Sequence, residues 1–446
     1  MVGDISSPLI SQSYFLLELF SVAFGSSSSS SSLFGDLIVQ DFAVIMIVAA
    51  VMLIITHKLR QPMVIGYIVA GMIIGPYTPP FSLISSIQTV NVLSELGIIM
   101  LLFVIGTEFP IAKLKSVSKI TIIVALPESM GTLLIVFFIS QTLGFSFFDC
   151  MFLALAMSIT STVVTIRILE ELDIIRDRSS TIMLGVLIIE DIIAISVLAI
   201  LQSSVAVTTT ATTGNSVSGL INVGVQGGEI SILKIAISLA IVGSFMGSIL
   251  ILGSRFIPTS LDRVSKTNDY ELLLIVILGL AFGLSFVAKL LGLSVVIGAF
   301  LAGVLVAESK SAAVVRVLTI PLRDVFSAIF FISIGALMNI SLIPSFIIPA
   351  LILILTSFAS KFLIITGILT IKSKIDSTTA LRTGLGLAAS KGEMSLIIAK
   401  GGQDVGAITS SVLPILGVVT IITTFIAPYI IKFGNKIKVS EPTTTS

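Results

Sequence analysis

The sequence predicts an all-α polytopic membrane protein of about thirteen transmembrane helices, built as an inverted repeat. Three observations carry that prediction. The 446 residues are 55% hydrophobic and only 11% charged, with a mean hydropathy of +1.17, unlike any soluble domain. The apolar residues gather into thirteen segments long enough, or nearly so, to cross a bilayer. Lys and Arg alternate between successive connections, as a fixed topology demands.

The segments run in order over about 38–57, 62–76, 88–109, 117–141, 147–168, 181–203, 230–253, 269–289, 292–307, 320–339, 343–371, 379–402 and 405–433. Each is bounded by Pro, Gly or charged residues, which end or expose a helix. The second and ninth are short and are expected to be tilted or to leave protein-lined ends. Connections after odd-numbered segments, with the C-terminus, hold 20 of the 25 Lys and Arg. An excess of basic residues marks the cytoplasmic side. The N-terminus is therefore expected outside and the C-terminus in the cytoplasm of a multi-pass protein of the cell membrane.

Residues 1–37 hold LISQSYFLLELFSVAFG and the serine run Ser26 to Ser32. Without a basic n-region this is a poor signal peptide; an external interfacial helix is expected, with a fourteenth span as the alternative. Residues 204–229 are rich in Ser, Thr and Gly and read as an external loop. The sequence stops soon after the thirteenth segment, so no cytosolic regulatory domain is expected.

Composition also excludes. A net charge of +1 gives no footprint for nucleic acid. Cys150 is the single cysteine, so an intrachain disulfide is impossible. His57 is the single histidine, beside Lys58 and Arg60, with no HExxH around it. Neither an enzyme nor a cofactor is expected.

The two halves echo each other. VIGYIVAGMIIG from Val64 matches VIGAFLAGVLVA from Val296, and LAMSITSTVVTI from Leu155 matches LAASKGEMSLII from Leu387, both at an offset of 232. LLFVIGTEF around Gly106 matches FFISIGALM around Gly335 at 229. Segments 1–6 thus repeat as 8–13, and the odd segment between them inverts the second copy. Inverted repeats mark secondary transporters, whose substrate site lies near the midplane.

Charges at that depth are the candidate site. Glu190 and Asp191 adjoin in GVLIIEDIIAI, the middle of the sixth segment. A carboxylate there costs about 2.5–3.5 kcal/mol on insertion scales. Neighbouring helical positions diverge by about 100°, so one acid can meet a buried cation while the other faces a water-filled cavity. Lys361 lies deep in the eleventh segment, eleven residues from Lys372, too far to snorkel comfortably. It needs a carboxylate, and the sixth segment offers two.

AMSITSTVV in the fifth segment and AASKGEMS in the twelfth read as helix breaks at membrane depth. Thr160, Ser161 and Thr162 would line the first. Lys391 and Glu393, flanking Gly392, would counter half-helix dipoles in the second. Glu128, beside Pro127, falls one position from the repeat-mate of Lys361 (361 − 232 = 129). It is expected as an accessory, lining a kink or gating. Glu95, Glu108, Lys234 and Lys289 fall near segment ends and are expected to be interfacial. A small cation and protons could compete for this set of acids.

These words, with ELGIIMLLFVIGTEF (95–109), SITSTVVTIRILEEL (158–172), LGLSVVIGAFLAGVLVAES (291–309) and SKGEMSLIIA (390–399), resemble the cation:proton antiporter superfamily. The likeness is to the branch of Kef-type potassium efflux proteins and NapA-type sodium/proton antiporters, over about residues 38–434. It implies an NhaA-like fold with two broken, crossing helices and a homodimer. Residues 38–112 and 268–340 would form a dimer domain, and 113–203 and 341–434 a mobile core moving like an elevator. Residues 204–267 would hold the external loop and linker helix, and 435–446 a cytoplasmic tail. Asp191 matches the ion-binding aspartate, which would hold the transported Na⁺ or K⁺. Glu190 matches the position before it, Asp in NapA-like and Gln in Kef-like members. Lys361 matches the lysine paired with that acid, and Thr160, Ser161 and Thr162 the polar break.

Two departures matter. Glu at 190 lengthens the arm toward Lys361, and the nucleotide-binding domain usual in Kef-type members does not follow the last segment. The implied function is monovalent cation/proton antiport in a lipid bilayer, with Na⁺ (and Li⁺) first and K⁺ next. The alternative is a cation channel or the pore subunit of a separately regulated potassium efflux system.

Overall fold

The computed structural model describes residues 30–437 except 60, 79–81, 85, 109–117, 214–243, most of 244–252, 268, 291–293 and 373–374. Among these residues every regular element is helical. α1 is Ser30–Leu59, α2 Met63–Ile74, α3 Ile87–Thr107 and α4 Lys119–Thr142. The fifth segment is two helices, α5 Phe147–Ser158 and α6 Thr162–Glu171, followed by α7 Arg178–Thr213. After α8 Ser254–Ser265 come α9 Tyr270–Leu290, α10 Val295–Ala307, α11 Ala312–Ala336 and α12 Ile343–Gly367. The twelfth segment is again two helices, α13 Ser377–Ala388 and α14 Glu393–Asp404, and α15 is Val412–Lys436.

Twelve of the thirteen expected segments are therefore helical where described. The seventh lies almost wholly outside the described residues, as does the proposed interfacial helix before residue 30. The expected loop from 204 is corrected in part, because α7 continues to Thr213. α11 begins at Ala312, earlier than hydropathy placed it. Its first turns carry Arg316 and Arg323, which depress hydropathy without preventing helix. Arg316 Nη2 donates to the Thr107 carbonyl at 2.8 Å, satisfying the end of α3.

Helix starts follow local chemistry. Ser86, Ser118, Ser146, Ser161 and Ser294 each accept a backbone N–H in the first turn of the helix that follows, as does Asp376 at α13. Such caps satisfy amides that no intrahelical carbonyl reaches.

The main packing partnerships fall into two groups. α1, α2, α3, α9, α10 and α11 pack with one another; α4, α5, α7 and α12–α15 form the second group. In lipid, close helix contact depends on small residues rather than on hydrophobic driving force. A Cβ on Gly71 of α2 would overlap the Ile332 carbonyl of α11, and one on Gly335 the Ile68 carbonyl. The repeat-mates do the same: Gly303 of α10 lies against the Phe103 carbonyl of α3, and Gly106 against that of Phe300. The repeated words therefore pack crosswise, each copy's second segment on the other copy's third. This explains how α2 and α10, with 12 and 13 residues, serve inside the bundle although about 20 residues are needed to span. Their ends are lined by protein, and Ile84, beyond α2, is fully buried and donates its N–H to the Ile74 carbonyl.

Candidate functional site

The two breaks lie against each other. Ser161 N–H donates to the Ser390 carbonyl at 3.2 Å, and the Thr165 and Ser390 hydroxyls are 3.3 Å apart. A Cβ on Gly392 would strike the Ser161 side chain, so only glycine permits this approach.

Each break leaves carbonyls without helical partners, and side chains take them up. Lys391 Nζ donates to Met157 O at 2.7 Å and Ile159 O at 3.1 Å. Ser395 Oγ reaches Ala156 O at 2.8 Å, and Ser357 Oγ shares Met157 O at 2.7 Å. At the other break Thr160 Oγ1 donates to Leu387 O at 2.7 Å. Lys391 N–H donates to Thr423 Oγ1 at 3.0 Å, and Thr424 Oγ1 to Lys391 O at 2.8 Å. A cation at the carbonyl end of α5 and an acid, Glu393, in the first turn of α14 oppose the respective helix dipoles.

Beside the crossing lies an ion cluster with no exposure to solvent. Lys361 Nζ is 2.9 Å from Glu190 Oε1 and 2.9 Å from Glu128 Oε1. Its third hydrogen bond goes to Thr160 Oγ1, also at 2.9 Å. An ammonium has three donors, and all three are used. Glu190 Oε2 accepts the Thr160 N–H at 2.7 Å, so this acid also caps the break. α4, the first break, α7 and α12 thus converge on one buried lysine.

Asp191 has a different environment. Its Oδ2 accepts from Thr162 Oγ1 at 2.9 Å. Its Oδ1 is buried and has no hydrogen-bond partner. The residue lines a cavity of about 590 Å³ between the two helix groups, with Thr162, Glu393, Glu108, Arg167 and Arg323 on its walls. The adjacent acids are thus separated as helical geometry requires, one into an ion cluster and one onto a cavity.

A family profile described as the transmembrane sodium/hydrogen exchanger matches residues 44–434. The chain belongs to the sodium/hydrogen exchanger family. The chain is 31% identical over 295 residues to YbaL of Escherichia coli (strain K12); the match covers 66% of this chain and only 50% of YbaL. It is 30% identical over 355 residues to the high-affinity Na⁺/H⁺ antiporter NhaS3 of Synechocystis, covering 76% of this chain and 70% of NhaS3. Its fold is that of the sodium proton antiporter MjNhaP1 from Methanocaldococcus jannaschii, with a TM-score of 0.66 at 16% identity over 90% of this chain and 98% of that one.

All the site residues singled out from sequence are brought to this crossing. The sequence reading placed Glu128 as an accessory and missed its direct contact with Lys361. The signal was the hydroxyl spacing around both residues: Thr132 Oγ1 reaches Glu128 at 3.3 Å, and Ser360 Oγ reaches Thr132 at 3.3 Å. Glu108, read as interfacial, faces the cavity with Arg323, which sequence did not single out. Glu95 and Lys289 form an exposed ion pair at 2.6 Å.

Proposed function

We propose that the exchanger moves a monovalent cation against protons, with Asp191 as the carboxylate that the two ions share. The observation that carries this reading is the split environment of Asp191, a residue that lines the cavity: one oxygen is held by Thr162, and the other is buried without a hydrogen-bond partner. Hard cations take oxygen ligands, and a carboxylate that binds one must first lose its proton. Occupation by one ion therefore expels the other. Glu190, with both oxygens engaged by Lys361 and Thr160, is less available to the cargo.

Na⁺ is the first candidate, in keeping with NhaS3, and K⁺ the second. The cavity lies between the helix groups, so a rigid movement of residues 113–203 and 341–434 against 38–112 and 268–340 would carry Asp191 from one side of the membrane to the other. The second group is then the moving core, and the first holds the homodimer. With the N-terminus outside and the C-terminus in the cytoplasm of the cell membrane, the cavity wall that carries Arg167 and Arg323 lies toward the cytoplasmic side.

The test is reconstitution into liposomes holding a pH-sensitive dye, with Na⁺, Li⁺ and K⁺ added in turn. Proton movement on addition of Na⁺ is expected. A dye silent to all three cations, in a protein that inserts, would overturn the proposal.

A further inference from the structure

The half-helices α6 and α14 end on the same device. Arg167 pairs with Glu171 one turn on, Nε to Oε1 at 3.1 Å, and Lys400 pairs with Asp404 one turn on, Nζ to Oδ1 at 2.5 Å. The two pairs are 233 residues apart (400 − 167 and 404 − 171), one position off the repeat offset. Inversion sends them to opposite ends of the crossing, and there they are in opposite conditions. Arg167 stands on the cavity wall with 35% of its side chain exposed. Lys400 is 4% exposed and reaches across to the other helix group, donating to Asn91 Oδ1 at 3.2 Å. An apolar seal also spans the groups: Ala199 of α7 shares a buried cluster with Ala288, Ile297 and Leu301 of α9 and α10. One end is open and the other closed.

The faces these cations meet are repeat-mates too. At the offset of 229 that relates α3 to α11, Asn91 and Glu95 correspond to Ile320 and Asp324. Glu95, paired with Lys289, lies within electrostatic reach of Asp404 at the closed end. At the open end Ile320 cannot receive a cation, but Asp324, one turn on, can. It lines the same cavity as Arg167 and belongs to the other helix group, since α6 packs on α7 and α15. Its pair with the adjacent Arg323, at 2.9 Å, is exposed and contributes little. We infer that Lys400 and Arg167 are alternating gate residues: Lys400 holds one end of the crossing closed through Asn91, and when that contact breaks Arg167 closes the other end on Asp324. The inference rests on the reading that the two helix groups move against each other. Closing a cavity brings its walls together, and opposite charges on the two walls favour the closed form. Each contact therefore opposes the other, and the two together set the populations of the two states.

The experiment uses the full chain in proteoliposomes, in a Cys150→Ser background. Arg167→Cys and Asp324→Cys are joined by a short bifunctional thiol reagent, and the rate is followed by mass spectrometry of the linked peptides. The link should form slowly, because it captures the minor state. Adding Lys400→Met should speed it about tenfold, the shift that one hydrogen bond to a charged group makes in an equilibrium. Asn91→Ala breaks the same contact from the other side and should speed it likewise, so the result does not hang on the folding of one variant. Lys289→Gln breaks an ion pair inside one helix group and should leave the rate unchanged. A link that never forms, or one that forms at the same rate with and without Lys400, overturns the inference. A merely structural Lys400 would change the amount of folded protein and leave the rate per folded molecule untouched. The readout needs no transported ion, so it fails separately from the antiport reading. If cysteines linked at 91 and 400 leave transport running, it is the movement of the groups that fails.

Discussion

The two helix breaks are repeat-mates, yet they are built from different chemistry. At the offset of 232, Ile159, Thr160 and Ser161 correspond to Lys391, Gly392 and Glu393. The first break carries hydroxyls and the second carries charges. Each services the other: Lys391 of the second copy closes carbonyls of the first, and Thr160 of the first closes Leu387 of the second. The same asymmetry runs through the supporting helices. Glu190 and Asp191 correspond to Ile422 and Thr423, and Lys361 to Ser129. A symmetric scaffold has been given one polarised site. Lys391 is used to satisfy backbone, whereas Asp191 lines the cavity and keeps one oxygen without a hydrogen-bond partner.

That distinction is broken most directly at Asp191. Asp191→Asn keeps a side chain able to accept from Thr162 but removes one of the acidic charges lining the cavity. Loss of exchange to the level of empty liposomes is expected, with insertion and thermal stability retained. Robust pH-coupled cation flux in this variant would show that the cavity-facing acid is not the shared site.

The second prediction concerns the division between helix groups. Lys400 of α14 donates to Asn91 Oδ1 of α3 at 3.2 Å, across the groups. Paired cysteines at 91 and 400, in a Cys150→Ser background, should stop transport on cross-linking and restore it on reduction. A link between α7 and α12, both in the second group, should leave transport running. Equal inhibition by the two links would mean that the groups do not move against each other.

The third compares the buried lysines. Lys361 offsets two acids, so Lys361→Ala strands both, and breaking a buried ion pair costs about 3–5 kcal/mol. Lys391 touches only carbonyls, and hydrogen bonds to charged groups contribute about 1.5–3 kcal/mol each. Lys391→Met should therefore be destabilising but milder than Lys361→Ala, measured by melting temperature in detergent. Replacing Glu190 and Lys361 together by Gln should recover part of the loss seen for either alone. The recovery is incomplete because Glu128 stays behind. Strict additivity in that double-mutant cycle would show that Glu190 and Lys361 are not coupled.

The sequence was legible wherever chemistry is local. Apolar length placed the helices, hydroxyl and charge density located both breaks, and the depth of Lys361 required an acid. What escaped is relative direction between helices remote in sequence. Glu128 sits beside Pro127 and read as part of a kink, and nothing in a linear pattern turns it toward Lys361. Arg323 looked like the end of a span because hydropathy weighs a charge as surface. Its helix passes the cavity, and there Arg323 lines the wall with its guanidinium paired to Asp324 at 2.9 Å.

The smallest expected effect separates hydroxyls that hold a break alone from those that share the task. Thr160 Oγ1 accepts from Lys361 and donates to Leu387 O. Thr160→Val has nearly the same shape and removes both contacts, leaving a buried carbonyl and one ammonium donor unmet. An unsatisfied buried group costs about 1–3 kcal/mol. Ser357 Oγ also meets a carbonyl of the crossing, Met157 O, but Lys391 Nζ holds the same oxygen at 2.7 Å. Ser357→Ala therefore leaves that carbonyl satisfied, and its loss should be about 0.5 kcal/mol, the low end for one net hydrogen bond. The measurement is the melting temperature of both variants in one detergent. If Ser357→Ala proves as damaging as Thr160→Val, the lysine is not the principal partner of the α5 carbonyl end, and the two breaks are more alike than their sequences.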